Sequence, residues 1–216
     1  MGSAKSNVNV KSRAFAAAAI LVLAGAAPAH AEAQCAEAVR ALMQGLSPSE
    51  TAVKSRSVTT MAGGQKMVNL GLTEGDNHLT MDESGSPVSL FRDDRFYTTA
   101  DKGETWTLAQ TYSPEVMAET RNGLASQAEK ATNFTCTYGV DLDGRTVDHF
   151  TVDYVMHNAG TPVHGEYWVD PETGFAWKAL TIFDPGGNET IVEQMSEPAP
   201  GESPPDPDNC PAFFQY

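Results

Sequence analysis

Basic residues are scarce in this chain. The sequence holds 14 lysines and arginines against 28 aspartates and glutamates, for a formal net charge of −14 at pH 7. Residues 1–31 carry three of the basic residues and no acidic one, which leaves 11 basic against 28 acidic residues in the rest, a difference of −17. Such a surface repels phosphate backbones and anionic lipid headgroups. Nucleic acid is therefore not expected as a partner.

Long apolar runs are also few. The one unbroken run of apolar and small residues, 14–27, is 14 residues long, whereas a helix needs about 20 to span a membrane. Basic residues precede this run, and the small-residue sequence PAHA follows it at 28–31. That order predicts a secretory signal peptide cleaved after Ala31, and hence a periplasmic protein. Cys35 does not directly follow the apolar run, so neither a lipid anchor nor a membrane-spanning segment is expected.

Sequence motifs of catalysis are missing as well. The chain has no G-x-S-x-G nucleophile elbow, no S-x-x-K in a suitable context, no Walker A loop and no G-x-G-x-x-G fingerprint. Residues 141–144 (DLDG) begin like a calcium loop but lack its later ligands. These absences predict a protein that is not an enzyme and that needs no cofactor.

Only three cysteines occur: Cys35, Cys136 and Cys210. An oxidising compartment favours one disulfide and leaves one thiol over. The residues alone allow three pairings.

What the chain does have is a rhythm of short alternating segments and turns. Helical spacing predicts a helix over 32–46, and Ser113 as an N-cap with Pro114 behind it predicts a second over 113–130. Between and after the helices, alternation and Gly- or Pro-containing turns predict antiparallel hairpins. The predicted strands are 67–72, 78–81, 88–91, 96–99, 105–108, 134–140, 146–156, 163–169, 175–183 and 190–195.

This order predicts a mainly β (α+β) fold. Two helices that cannot join a large antiparallel sheet must cover one of its faces. The expected architecture is a strongly curved sheet, a half-barrel, with the helices on its concave face. We expect a signal peptide over 1–31, one domain over 32–197, and a Pro- and acid-rich tail over 198–216 that is disordered or extended.

Three hairpin motifs resemble those of the LolA/LolB-like periplasmic lipoprotein carriers. They are residues 91–97 (FRDDRFY) with 103–106 (GETW), residues 143–150 (DGRTVDHF), and residues 167–175 (YWVDPETGF). They occur in the family's order, and the resemblance spans nearly all of 32–197. It implies a curved sheet whose apolar, helix-covered face receives a lipid or a lipoprotein's acyl chain.

The resemblance also bears on the cysteines and on the ligand. It implies a disulfide between Cys35 and Cys136; the alternative, Cys136 with Cys210, would hold the tail against the body.

Aromatic and methionine residues on the better core faces are the candidate cavity lining: Phe96, Trp106, Phe150, Tyr154, Met156, Phe175 and Trp177. We expect a monomer that binds a hydrophobic ligand. The alternative is a non-enzymatic envelope sensing domain that has a protein partner and no ligand cavity.

One group of titratable residues is a weak candidate for a metal site. His149, Asp153 and His157 share one face of a strand, and the next hairpin brings His164 and Glu166 to the same side. Imidazoles and a carboxylate are zinc ligands. A solvated outer face of an antiparallel sheet explains the same pattern, and we expect no metal.

Overall fold

The computed structural model describes residues 27–45 and 51–208. Two helices and eleven strands follow one another in that part of the chain. They are α1 (Ala27–Met43), β1 (Val53–Thr60), β2 (Lys66–Glu74), β3 (Asn77–Asp82), β4 (Pro87–Arg92), β5 (Arg95–Thr98), β6 (Thr107–Thr111), α2 (Pro114–Glu129), β7 (Thr132–Leu142), β8 (Arg145–Val155), β9 (Pro162–Val169), β10 (Ala176–Phe183) and β11 (Thr190–Pro198). Neither helix is long and apolar enough to cross a membrane.

All eleven strands form one open antiparallel sheet in the order β6-β5-β4-β3-β2-β1-β11-β10-β9-β8-β7. Nine of the ten neighbouring pairs are consecutive hairpins, and the tenth, β1 with β11, joins the two meanders in the middle. The β7–β8 hairpin closes with a turn whose two central residues have positive φ, 52° at Asp143 and 83° at Gly144. The predicted mainly β class is confirmed, and the sheet is an open half-barrel.

The connection through α2 explains the curvature of the sheet. It leads from β6 to β7, the two edges of the sheet, within residues 112–131. Ten strand spacings of about 4.8 Å would separate these edges by about 48 Å in a flat sheet. A 16-residue helix spans about 24 Å, and the flanking residues add about 15 Å. The connection through α2 is therefore too short to join the two edges of a flat sheet. The sheet must curl until α2 can join them.

Most predicted elements agree with the structure, and three differ. The first helix begins at Ala27 rather than at residue 32 and ends at Met43; Leu46, its predicted end, lies outside the described residues. The strand predicted over 105–108 lies at Thr107–Thr111. No separate strand was predicted for Val53–Thr60 (VKSRSVTT), yet it is the central strand β1. Its sequence is mostly polar, and backbone pairing with β2 and β11 on its two edges holds it in the sheet.

The first apolar cluster lies beneath α1. Val39 of α1 is fully buried against Phe150 and Val152 of β8, with Val169 and Ala131 beside them. We call the side of the sheet that carries Phe150 and Val152 the helix face. The helices pack mainly on β7 and β8, so they cover this face at one end of the sheet.

A second apolar cluster lies on the other side of the sheet. Leu72, Leu79, Leu90 and Tyr97 are cross-strand partners in turn, and all are buried. One row of such partners connects this side with β8: Met81, Leu70, Arg56, Met195, Lys178, Trp168 and His149. Because His149 and Phe150 are consecutive in β8, they point to opposite faces. The second cluster therefore occupies the opposite face, whereas the two helices lie on the helix face at one end of the sheet.

The segment 199–208 covers the second cluster where no helix does. Ala199 is buried in the cluster and its amide donates to the carbonyl of Ala52. The Arg92 guanidinium donates to the carbonyls of Pro204 and Pro205 at 2.9 and 3.1 Å. Residues 199–208 thus lie along the opposite face, beginning with a turn in which the amide of Glu202 donates to the carbonyl of Ala199. Cys210 and the C-terminal aromatic residues Phe213, Phe214 and Tyr216 lie outside the described residues.

A disulfide joins the first helix to the sheet. Cys35 of α1 and Cys136 of β7 are bonded, with Cα atoms 5.9 Å apart and a sequence separation of 101 residues. This is the pairing that the family resemblance implies. The bond fixes α1 over the helix-face cluster.

Candidate functional site

A groove of about 760 Å³ opens between the C-terminal part of α2 and the ends of β8, β9 and β10. We call it the α2 groove. Its apolar lining consists of Tyr154, Val155, Met156, Val163, Ile182 and Phe183. Its polar members include Lys130, which caps the end of α2, Asp153 and His164 of the strands, and His157 of the β8–β9 turn. The groove thus has an apolar wall and charged or polar groups at its margin.

The helix above this groove buries few of its side chains. Within α2 only Gly123 and Ala128 are buried, whereas Val116 and Leu124 remain 45% and 40% exposed. A smaller cavity of about 430 Å³ continues along α2 and shares Met156 with the groove. Apolar side chains that are neither packed nor fully solvated are what a cover over an apolar ligand requires.

A few short contacts hold α2 in place. Its N-terminus is capped as predicted, since the Ser113 hydroxyl accepts from the amide of Val116 at 3.4 Å. Near its end, the Gln127 side chain accepts from the amide of His157 at 3.1 Å. Gly123 lets the helix approach the His157 ring, because an added Cβ would lie 2.7 Å from His157 Cδ2. Together with the hydrogen bond from Arg40 Nε of α1 to the carbonyl of Ala128 at 3.2 Å, these contacts position α2 over the end of the sheet.

The seven predicted lining residues do not surround one cavity. Tyr154 and Met156 line the α2 groove, and Phe150 lies in the helix-face cluster nearby. Trp106 packs on the opposite-face cluster, and Trp177 lines a separate cavity there. The remaining two, Phe96 and Phe175, line none of the three cavities described here. Aromatic character alone does not tell which face of a strand borders a cavity.

Other groove residues were missed by the sequence analysis. Val163 and Phe183 are cross-strand partners at the ends of β9 and β10, and Ile182 precedes Phe183. Both strands were predicted, and their alternation was visible. What the sequence did not reveal is that these strand ends lie beneath α2, which reaches them only through the curl of the sheet.

The predicted polar group forms on the opposite face as a chain of paired side chains. His149 Nε2 lies 2.7 Å from Glu166 Oε2, and His164 Nδ1 lies 2.6 Å from Asp153 Oδ1. His157 is not among them, because it lies in the β8–β9 turn against α2. Among residues 27–45 and 51–208, no three histidine, cysteine or acidic side chains are arranged to hold a metal ion.

The Asp153 carboxylate offers a test of this chain of pairs. Hydrogen bonds from Asn133 and then from His164 lower the pKa of Asp153 below its ordinary value. A lowered pKa stabilises the folded state above the pKa of the unfolded chain, and the contribution is lost as the pH falls through the folded value. Asn133 has φ of 54°, which glycine accepts. Asn133→Gly should therefore raise the pKa of Asp153, as measured by NMR titration of its carboxyl carbon. An unchanged titration would contradict the pairing.

The comparisons with known proteins find distant structural similarity only. No family model and no curated protein matches the sequence. Among solved structures, the chain is similar to the lipoprotein LppX of Mycobacterium tuberculosis, with 14% identity, a TM-score of 0.46, and coverage of 76% of this chain and 93% of that one. A LolA superfamily protein of Nitrosomonas europaea has 10% identity, a TM-score of 0.33, and coverage of 80% and 94%. The hypothetical lipoprotein YmcC of Escherichia coli has 13% identity, a TM-score of 0.28, and coverage of 67% and 86%.

Proposed function

We propose that this protein is a non-enzymatic periplasmic binding protein for a hydrophobic ligand, a lipid or the acyl chain of a lipoprotein. It is exported with residues 1–31 as a cleaved signal peptide and acts as a monomer. The observation that carries the proposal is the α2 groove, an apolar depression beneath a helix that is only lightly packed. The motif resemblance to LolA/LolB-like carriers points to the same ligand class.

The size of the groove suits an acyl chain. Its volume of about 760 Å³ lies within the range of about 300–1,000 Å³ typical of small-molecule sites. Burial of each methylene contributes about 0.8 kcal/mol, so eight carbons contribute about 6 kcal/mol. Loss of translational and rotational freedom costs about 4–15 kcal/mol. Tight binding therefore requires a chain longer than eight carbons.

Two measurements test the proposal. Organic-solvent extraction of the purified protein followed by mass spectrometry should recover a lipid, and a fluorescent fatty-acid probe should bind and be displaced by long-chain but not by eight-carbon acids. If neither a lipid nor probe binding is found, the proposal is rejected in favour of the sensing or interaction domain.

A matched pair of methionine variants locates the ligand. Met156 lines both cavities along α2, whereas Met67 is 46% exposed on β2 and lines none of the three cavities described. Met156→Asp places a charge where the chain would be desolvated and should weaken probe binding at least tenfold. Met67→Asp makes the same chemical change and should leave binding unaffected. Equal effects of the two variants would contradict a ligand in the α2 groove.

A further inference from the structure

A second cavity, of about 640 Å³, lies on the opposite face of the sheet, away from α2. We call it the arginine cavity. Leu70, Met81 and Met195, which belong to β2, β3 and β11, contribute apolar side chains to it. The β7–β8 turn and Trp177 of β10 form its other wall. The cavity thus has its own apolar floor, and no described residue lines both this cavity and the α2 groove.

Arg56 lies in the middle of this floor. In the central strand β1 its cross-strand partners are Leu70 on one side and Met195 on the other. The side chain is exposed, and it forms no salt bridge within the described part of the chain. A guanidinium between two apolar neighbours retains its hydrogen-bond donors for a ligand.

Arg145 faces the same cavity from the β7–β8 hairpin. Its guanidinium carbon lies 4.0 Å from the centroid of the Trp177 ring. Stacking on an aromatic face orients a guanidinium while leaving its N–H edge able to donate. Like Arg56, Arg145 forms no salt bridge with any described residue.

Basic side chains, which are few in this chain, are concentrated at this cavity. Lys54, Arg56 and Arg145 all line the cavity, although the chain has a formal charge of −14. Lys54 is neutralised by Glu202 at 2.6 Å, and the carboxylates of Asp143 and Glu197 also belong to the lining. Arg56 and Arg145 form no salt bridge with a described residue and balance the two lining carboxylates in charge, so an anion meets less repulsion here than on the acidic surface of the rest of the chain.

We propose that the arginine cavity binds an amphiphile with an anionic head group, a carboxylate or a phosphate, and an apolar chain. Arg56 and Arg145 donate to the head group, since guanidinium pairs with these oxyanions through two parallel hydrogen bonds. The chain lies on Leu70 and Met195. At this cavity the two guanidinium groups offset the repulsion that the acidic protein exerts on anionic head groups. This site goes beyond the proposed function, because it is distinct from the α2 groove.

Calorimetric titration with single-chain probes below their micelle concentrations tests the inference. Dodecyl phosphate should bind at least tenfold more tightly than uncharged dodecyl maltoside, and dodecanoate should show the same preference if the carboxylate is the natural head group. Inorganic phosphate alone should not bind measurably, because it lacks the chain. Equal affinity for charged and uncharged probes would overturn the proposal.

Variants assign the binding to these residues. Arg56→Gln and Arg145→Gln should each weaken dodecyl phosphate binding about tenfold and leave dodecyl maltoside unaffected. Lys66→Gln removes the same charge from an exposed residue of β2 outside the cavity and should have no effect. If Met156→Asp abolishes dodecyl phosphate binding while both arginine variants retain it, the probe occupies the α2 groove. That result would overturn this inference and leave the proposed function intact.

Discussion

Replacing both Cys35 and Cys136 with serine is expected to lower the free energy of unfolding by about 3–5 kcal/mol. The bond closes a loop of about 100 residues, and the entropy that such a cross-link removes from the unfolded chain corresponds to about 4.7 kcal/mol in the loop-closure model. The bond also holds α1 in position, where fully buried Val39 completes the helix-face cluster. Urea unfolding followed by tryptophan fluorescence measures the change.

Cys210 provides the control for this experiment. It lies in the Pro- and acid-rich end of the chain and takes no part in the Cys35–Cys136 bond. Cys210→Ser should leave the unfolding midpoint of the oxidised protein unchanged. A loss of stability in Cys210→Ser as large as that in the double variant would show that Cys136 pairs with Cys210 in solution.

Leu79→Ala is expected to lower the free energy of unfolding by about 2–5 kcal/mol, the usual cost of a cavity in a packed core. Leu79 is 0% exposed and contacts the cluster on the opposite face, where strands and residues 199–208 rather than helices provide the cover. Leu108 of the edge strand β6 is 51% exposed. Leu108→Ala should therefore change stability by less than about 0.5 kcal/mol.

The same pair of variants tests whether the two faces have separate roles. Leu79 lines none of the cavities described here. Folded Leu79→Ala protein should therefore bind the fatty-acid probe of the α2 groove as the unmodified protein does. Equal stability of Leu79→Ala and Leu108→Ala would contradict a second packed core. Loss of probe binding from folded Leu79→Ala protein would show instead that the two faces are coupled.

Much of the local structure could be predicted because it depends on short-range chemistry. Ser113 and Pro114 indicated the start of α2, and the Asp143–Gly144 turn indicated the β7–β8 hairpin, as observed. Period-two alternation placed His149 and Asp153 on one face, and the β8–β9 register brings Glu166 and His164 beside them. Each of these predictions concerns residues that are close in sequence or in one hairpin.

The central strand shows where such reasoning stops. The sequence of β1 has little apolar character, and it pairs with β11 across more than 130 residues, as between Arg56 and Met195. No local pattern specifies that pairing, which joins the two meanders into one sheet. The arginine cavity depends on it, because Arg56 meets Met195 only there.

By itself, the sequence determined the hairpins, the two helices, the strongly acidic surface and the alternation of faces within each strand. Only the tertiary structure decided that the apolar core changes from one face of the sheet to the other, that residues 199–208 cover the second cluster, and which strand ends border the α2 groove. The physical reason is that alternation specifies which side chains share a face of a strand. What covers that face depends on how a long sheet curls and where distant segments then lie.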